Sequence, residues 1–137
     1  MSPEEIVNTM MAGDNFSQWL GITILETKEG YSKLSLTIRK DMLNGFGIAH
    51  GGITFSLADS ALAFASNSKG KKSVSIETSI SHIISLKEGD EVIAEALCET
   101  ETEKLGHYKV GVFLKNNPAK CVALFKGIVY KTSKDWV

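Results

Sequence analysis

From Lys33 to Arg39 polar and apolar residues alternate, with Leu34, Leu36 and Ile38 set against Lys33, Ser35, Thr37 and Arg39. A period of two is that of a strand with one buried and one wetted face. The apolar run from Ile22 to Leu25 precedes it across "KEGY", so the pair predicts a hairpin. After Gly51 the period changes. Phe55, Ala58, Leu62 and Ala65 recur at intervals of three and four in an alanine-rich stretch too long for a strand, which predicts a long buried helix from Gly51 to Asn67. A shorter helix, over about residues 3–12, is expected at the start of the chain. There Ser2 offers an N-cap, Pro3 takes the first helical position, and Ile6, Val7, Met10 and Met11 follow at helical spacing up to Gly13.

Four β-rich stretches follow: "SVSIETSISHIIS", "DEVIAEALCETET", "HYKVGVFLK" and "KCVALFKGIVYKT", separated by turn residues at "KEGD", "EKLG" and "NNPAK". Short links make such strands mostly antiparallel, because parallel neighbours need a crossover of a dozen residues or more. Val92, Ala94, Ala96 and Cys98 share one face of their strand, opposite Glu91, Glu95 and Glu99. The pattern as a whole predicts an α+β domain in which an antiparallel sheet of about five or six strands wraps one central helix. One helix cannot cover both faces and all edges of such a sheet, so at least a dimer is expected.

Composition narrows the function classes. A chain of 137 residues is expected to form one domain spanning 1–137. A formal net charge of −1 gives no electrostatic reason to bind nucleic acid or an anionic membrane. No apolar run is long enough for a membrane span, and Glu4 and Glu5 stand where a secretory signal would carry basic residues, so a cytoplasmic location is expected. Cys98 and Cys121 lack zinc-ligand spacing and are read as small buried hydrophobes.

The segment from Met42 to Ser68 carries a single formal charge, Asp59. Within it, "GFGIAHGG" has the first two glycines of a dinucleotide loop, but His50 occupies the third glycine position and no βαβ rhythm follows. Gly51 and Gly52 instead open the predicted helix, where backbone N–H groups lack intrahelical acceptors and face the positive end of the helix dipole. Such groups hydrogen-bond a carbonyl oxygen that becomes negative during reaction, and glycine lets that oxygen approach closely. Asp59 lies on roughly the same side of the helix, but about 12 Å further along it, beyond reach of the same carbonyl. Two helices packed antiparallel would bring the carboxylate of one copy to the glycine turn of the other. Alternatively, Asp59 is tied to a neighbouring hydroxyl such as Ser56 or Ser60. A buried carboxylate without a local cation is costly, which favours the functional reading.

"NGFGIAHGGITFSLADSALAFASNS" resembles the signature of the hotdog-fold acyl-CoA thioesterases of the PaaI type, the phenylacetic acid degradation group: Asn, a six-residue gap, Gly-Gly, and an aspartate further along the helix. The resemblance spans most of the chain, from about Phe16 to Tyr130. It implies a hotdog fold and hydrolysis of an acyl-CoA to free acid and coenzyme A, an aryl group such as phenylacetyl being among the candidates. No metal or redox cofactor is implied. Asp59 would be the catalytic nucleophile or general base, the Gly51 N–H would polarise the thioester carbonyl, and Asn44 would bind the attacking water or product carboxylate. His50 would fix the loop by hydrogen bonds, Gly52 would line the site beside Gly51, and Ser75 would help orient the water. The sites would lie at the interface of a homodimer, within a dimer of dimers. The chain departs from the family at Ile84-Ser85, where members commonly carry an Arg-Pro pair.

Lys69, Lys71 and Lys72 end the helix in "NSKGKK" and are candidates for the coenzyme A phosphates, the plainer reading being a solvated turn favoured by the helix dipole. His82 and His107 are read as structural or exposed, and Trp19, Tyr31, Tyr108 and Trp136 as core or interface residues. Two other classes are weighed. A hotdog hydratase or dehydratase would use a histidine base with an acidic partner, such as His50 with Asp59. A non-catalytic acyl-CoA-binding module would bind without turnover.

Overall fold

The computed structural model describes all residues from Met1 to Val137. Helix α1, Pro3–Gly13, begins as its sequence predicts: Ser2 Oγ accepts from Glu5 N at 3.1 Å, and Glu5 Oε1 accepts in return from Ser2 N at 3.0 Å. This capping box satisfies two otherwise orphaned donors. Ser2→Ala is expected to cost about 1 kcal/mol, measured by chemical denaturation.

A second helix, α2, Asn15–Leu20, was not expected from the pattern. It is only six residues long, too short to show a period. Its start was nevertheless written in Asp14, whose side chain accepts from Ser17 N at 2.9 Å, and its end in Gly21, which takes the left-handed conformation.

The hairpin forms as expected from β1, Thr23–Lys28, and β2, Tyr31–Thr37. Its turn is anchored to the far end of the central helix. Gly30 N donates to Ser68 Oγ at 2.9 Å, and that hydroxyl donates to Lys28 O at 2.8 Å. The central helix α3 runs Gly51–Asn67, the span its alanine-rich period predicts. The remaining strands are β3, Lys71–His82; β4, Glu91–Glu101; β5, Leu105–Leu114; and β6, Asn117–Asp135. The "NNPAK" turn is tighter than its composition suggested, since β6 already begins at Asn117.

The six strands form one antiparallel sheet in the order β1-β2-β4-β5-β6-β3. β3 therefore does not lie beside β4, which follows it in sequence. It crosses to the opposite side and pairs with β6, leaving β3 as an edge. The sheet wraps α3, and a single cluster of buried side chains joins Leu57, Ala58, Ala61, Leu62 and Ala65 of the helix to Leu34, Val92, Ala94, Val110 and Phe125 of the strands. Gly127 permits the closest approach, since a Cβ there would run into Leu62. Cys98 and Cys121 are free thiols that are only half-buried, not the fully buried hydrophobes expected, with Cys98 packed against the margin of the core. No helix is long and apolar enough to cross a membrane.

Candidate active site

Two hollows flank α3, one at its start and one at its middle. The first, of about 220 Å³, is lined by Asn44, Ile48, Gly51, Thr54, His82 and Leu86 among others. Its loop is held by its own polar groups. Asn44 N donates to Ile48 O at 2.8 Å, while Asn44 Oδ1 accepts from Phe46 N at 2.9 Å and Ile48 N at 3.4 Å. These bonds use the side-chain oxygen and leave the Nδ2 donors unengaged within the protomer. His50 caps the helix, its Nδ1 accepting from Gly52 N at 2.8 Å. The Gly52 amide is therefore spent on the cap. The Gly51 N–H has neither an intrahelical acceptor nor a capping partner, and remains the free donor of the first turn.

The second hollow, of about 260 Å³, contains Asp59 and Ser75 together with Met10, Leu62, Ala63, Ser66 and Val129. Asp59 is half-buried, and burial pushes its carboxyl above the usual range, with the negative charge of Asp14 adding to the shift. Neither Ser56 nor Ser60 holds it. The Ser60 hydroxyl instead meets Ser17 Oγ at 2.8 Å, and Ser17 donates to Asp14 Oδ2 at 2.6 Å. Asp59 takes part in no side-chain hydrogen bond or ion pair of the protomer. A carboxylate kept partly dry and unpartnered is a group prepared to accept a proton or attack a carbon.

The residues singled out in the sequence thus fall into three places. Asn44, His50, Gly51 and Gly52 gather at the helix start, while Asp59 and Ser75 share the second hollow. The three lysines line neither. Lys69 pairs with Glu101 at 3.1 Å, Lys71 with Asp135 at 2.7 Å, and Lys72 lies 4.9 Å over the ring of Trp136. These partners come from the end of β4 (Glu101) and from the end of the chain (Asp135 and Trp136), which could not be placed beside the helix end from sequence alone. His50 and Asp59 are separated by more than two helical turns, so they form no acid–base couple within the protomer.

His82, read from sequence as structural or exposed, is exposed and also lines the hollow at the helix start. Its Nδ1 lies 3.3 Å from Thr54 Oγ1, and a Cβ built on Gly51 would stand 3.2 Å from its Nε2. A signal existed. Thr78, Ile80 and His82 pair with Gly127, Phe125 and Ala123, so a period of two places all three on the helix-facing side of β3.

Comparison with known families is decisive. The family model described as "Thioesterase superfamily" matches residues 46–121. The chain belongs to the thioesterase superfamily. Among superfamily members, it is 35% identical over 120 residues to the acyl-coenzyme A thioesterase PaaI of Escherichia coli, covering 88% of this chain and 84% of the relative. Its fold superposes on a solved E. coli PaaI protein from the phenylacetic acid degradation operon with a TM-score of 0.93 and 31% identity, covering 97% of this chain and 95% of that one. A solved mutant of the phenylacetic acid degradation protein PaaI from Thermus thermophilus gives a TM-score of 0.82 at 34% identity, covering 87% and 100%. The antiparallel sheet around α3 is accordingly the hotdog fold of these thioesterases.

Proposed function

We infer that the chain is an acyl-CoA thioesterase whose sites are completed by a second copy. The observation that carries this reading is the coexistence, on one helix, of a free Gly51 N–H and an unpartnered Asp59 too far apart to act on one carbonyl. Antiparallel packing of two helices unites them. The edge strand β3 supports such an assembly: it is twelve residues long and exposes Val74 and Ile76, 57% and 58% accessible in the protomer. A long exposed edge of this kind invites pairing with a copy of itself.

In this site the Gly51 N–H polarises the thioester carbonyl, and Asn44 offers its Nδ2 donors to the water or the product carboxylate. Asp59 of the other copy serves as base or nucleophile, with Ser75 beside it. Water and the chain's own residues suffice for the reaction, without metal or redox cofactor. The relatives named for phenylacetic acid degradation support an aryl-acetyl acyl group, and a cytoplasmic dimer of dimers is the assembly proposed.

Thiol release from a panel of aryl and aliphatic acyl-CoA esters tests the activity, and mixing of variants tests the shared site. Gly51→Ala forces the His82 ring aside and crowds the oxyanion, so kcat is expected to fall by about ten- to a hundredfold. Mixed one to one with Asp59→Asn and reassembled, it is expected to recover about a quarter of the wild-type rate, since half the dimers are hybrids with one intact site. No recovery, with hybrids demonstrated, would place both residues of each site on one chain.

A further inference from the structure

His82 has no place in the reaction as described, yet its exposed imidazole lines the Gly51 hollow. The hydrogen bonds around Thr54 define how the ring is held. Thr54 Oγ1 donates to Gly51 O at 3.1 Å, and that carbonyl can only accept. The single hydroxyl proton is thereby committed, so the contact at 3.3 Å between Oγ1 and His82 Nδ1 is made by an Nδ1–H donating to Thr54. With Nδ1 occupied, Nε2 is the nitrogen presented towards Gly51, close enough that a Cβ on the glycine would lie 3.2 Å from it. Thr54 thus holds the Nδ1 side of the ring, and Nε2 is the nitrogen left to carry and hand over a proton at the Gly51 turn.

We propose that His82 is a second catalytic residue of this hollow, donating the Nε2 proton to the departing thiolate. The proposal rests on the thioesterase reading. Water adds to the thioester carbon as Asp59 of the other copy takes one of its protons. The C–S bond then breaks with its electron pair going to sulfur, and the Nε2 proton passes to that sulfur. The products are free acid and thiol, and the neutral imidazole regains a proton from Asp59 through solvent. No other titratable side chain lines the hollow. The hollow is lined from α3 by Gly51 and Thr54 and from the segment after β3 by Ile84 and Ser85, Ala123 of β6 pairs with His82 in register, and His50 turns its Nδ1 to Gly52.

The test compares His82→Gln, Thr54→Val and wild type on two thioesters of one acyl group, the coenzyme A ester and the 4-nitrothiophenyl ester, whose thiolate leaves unaided. His82→Gln is expected to lose about a hundredfold in kcat on the coenzyme A ester and no more than about threefold on the activated one. Thr54→Val, which keeps the imidazole but removes its acceptor, is expected to lose about tenfold in kcat on the coenzyme A ester and no more than about threefold on the activated one. Equal losses on both esters, or a His82→Gln variant as fast as wild type on both, would each overturn the proposal. Asp59→Asn is inactive on both esters if the thioesterase reading holds. A wild type that releases no thiol from either ester would sink that reading itself.

Discussion

Asp59→Asn is expected to lower kcat for acyl-CoA hydrolysis by at least about a hundredfold while leaving the protein folded. Asparagine keeps the shape of the side chain and removes both its basicity and its nucleophilicity. The accompanying stability effect has a definite sign. Burial first, and the charge of Asp14 second, hold the Asp59 carboxyl above its ordinary range in the folded chain. A carboxyl raised on folding contributes most where it is protonated, and that contribution is lost as pH rises from the unfolded value through the folded one. The charge is therefore a burden at neutral pH, and the variant should equal or exceed wild type in Tm at pH 7, the gap closing below about pH 4. A scan of Tm against pH beside the rate assay checks both statements. A variant that releases thiol within tenfold of wild type, or one that is destabilised at pH 7, would show that Asp59 is held for its fold and not for its chemistry.

Phe125→Ala should produce the largest loss of stability among the changes considered. Phe125 is 1% exposed and meets Phe55 of α3 edge-on, with ring centroids 5.4 Å apart and planes at 66°. It sits on β6 opposite Ile80, where the sheet closes on the half of the helix that carries Gly51 and Asp59. Removing the ring discards its burial and leaves a cavity that the sheet cannot collapse into, at a cost of about 3–5 kcal/mol. For a chain of this size that lowers Tm by roughly 10 °C or more, read by thermal or urea denaturation. A loss below about 1 kcal/mol would mean that the neighbours relax into the space and that the ring does not brace the helix.

Legibility along the chain follows the length of each element and the locality of its signals. The span of α3 could be read from sequence because alanine-rich helical periodicity bounded by Gly51 and a lysine-rich turn is a local pattern repeated over seventeen residues. The capping box at Ser2 and Glu5 is equally local. Helix α2 escaped because six residues hold too few turns to display a period, although Asp14 and Gly21 marked its ends. Strand pairing escaped for a different reason. The β-rich stretches announce themselves one by one, but which stretch adjoins which depends on how the sheet curls around the helix, and this sends β3 to the far edge beside β6.

The site divides in the same way. Sequence by itself sufficed to single out Asp59 and the Gly51 turn, because an isolated charge in an apolar helix and a glycine pair at its start are costly or permissive features visible without coordinates. That Asp59 lacks a partner, that His50 spends its Nδ1 and the Gly52 amide on a cap, and that Lys69 and Lys71 are already paired emerged only from the folded chain. So did the place of His82, which reaches Thr54 across twenty-eight residues. The dividing line is physical: propensity, period and burial cost are properties of neighbours along the chain, whereas hydrogen-bond partnership depends on distances that exist only once α3 has been enclosed by the sheet.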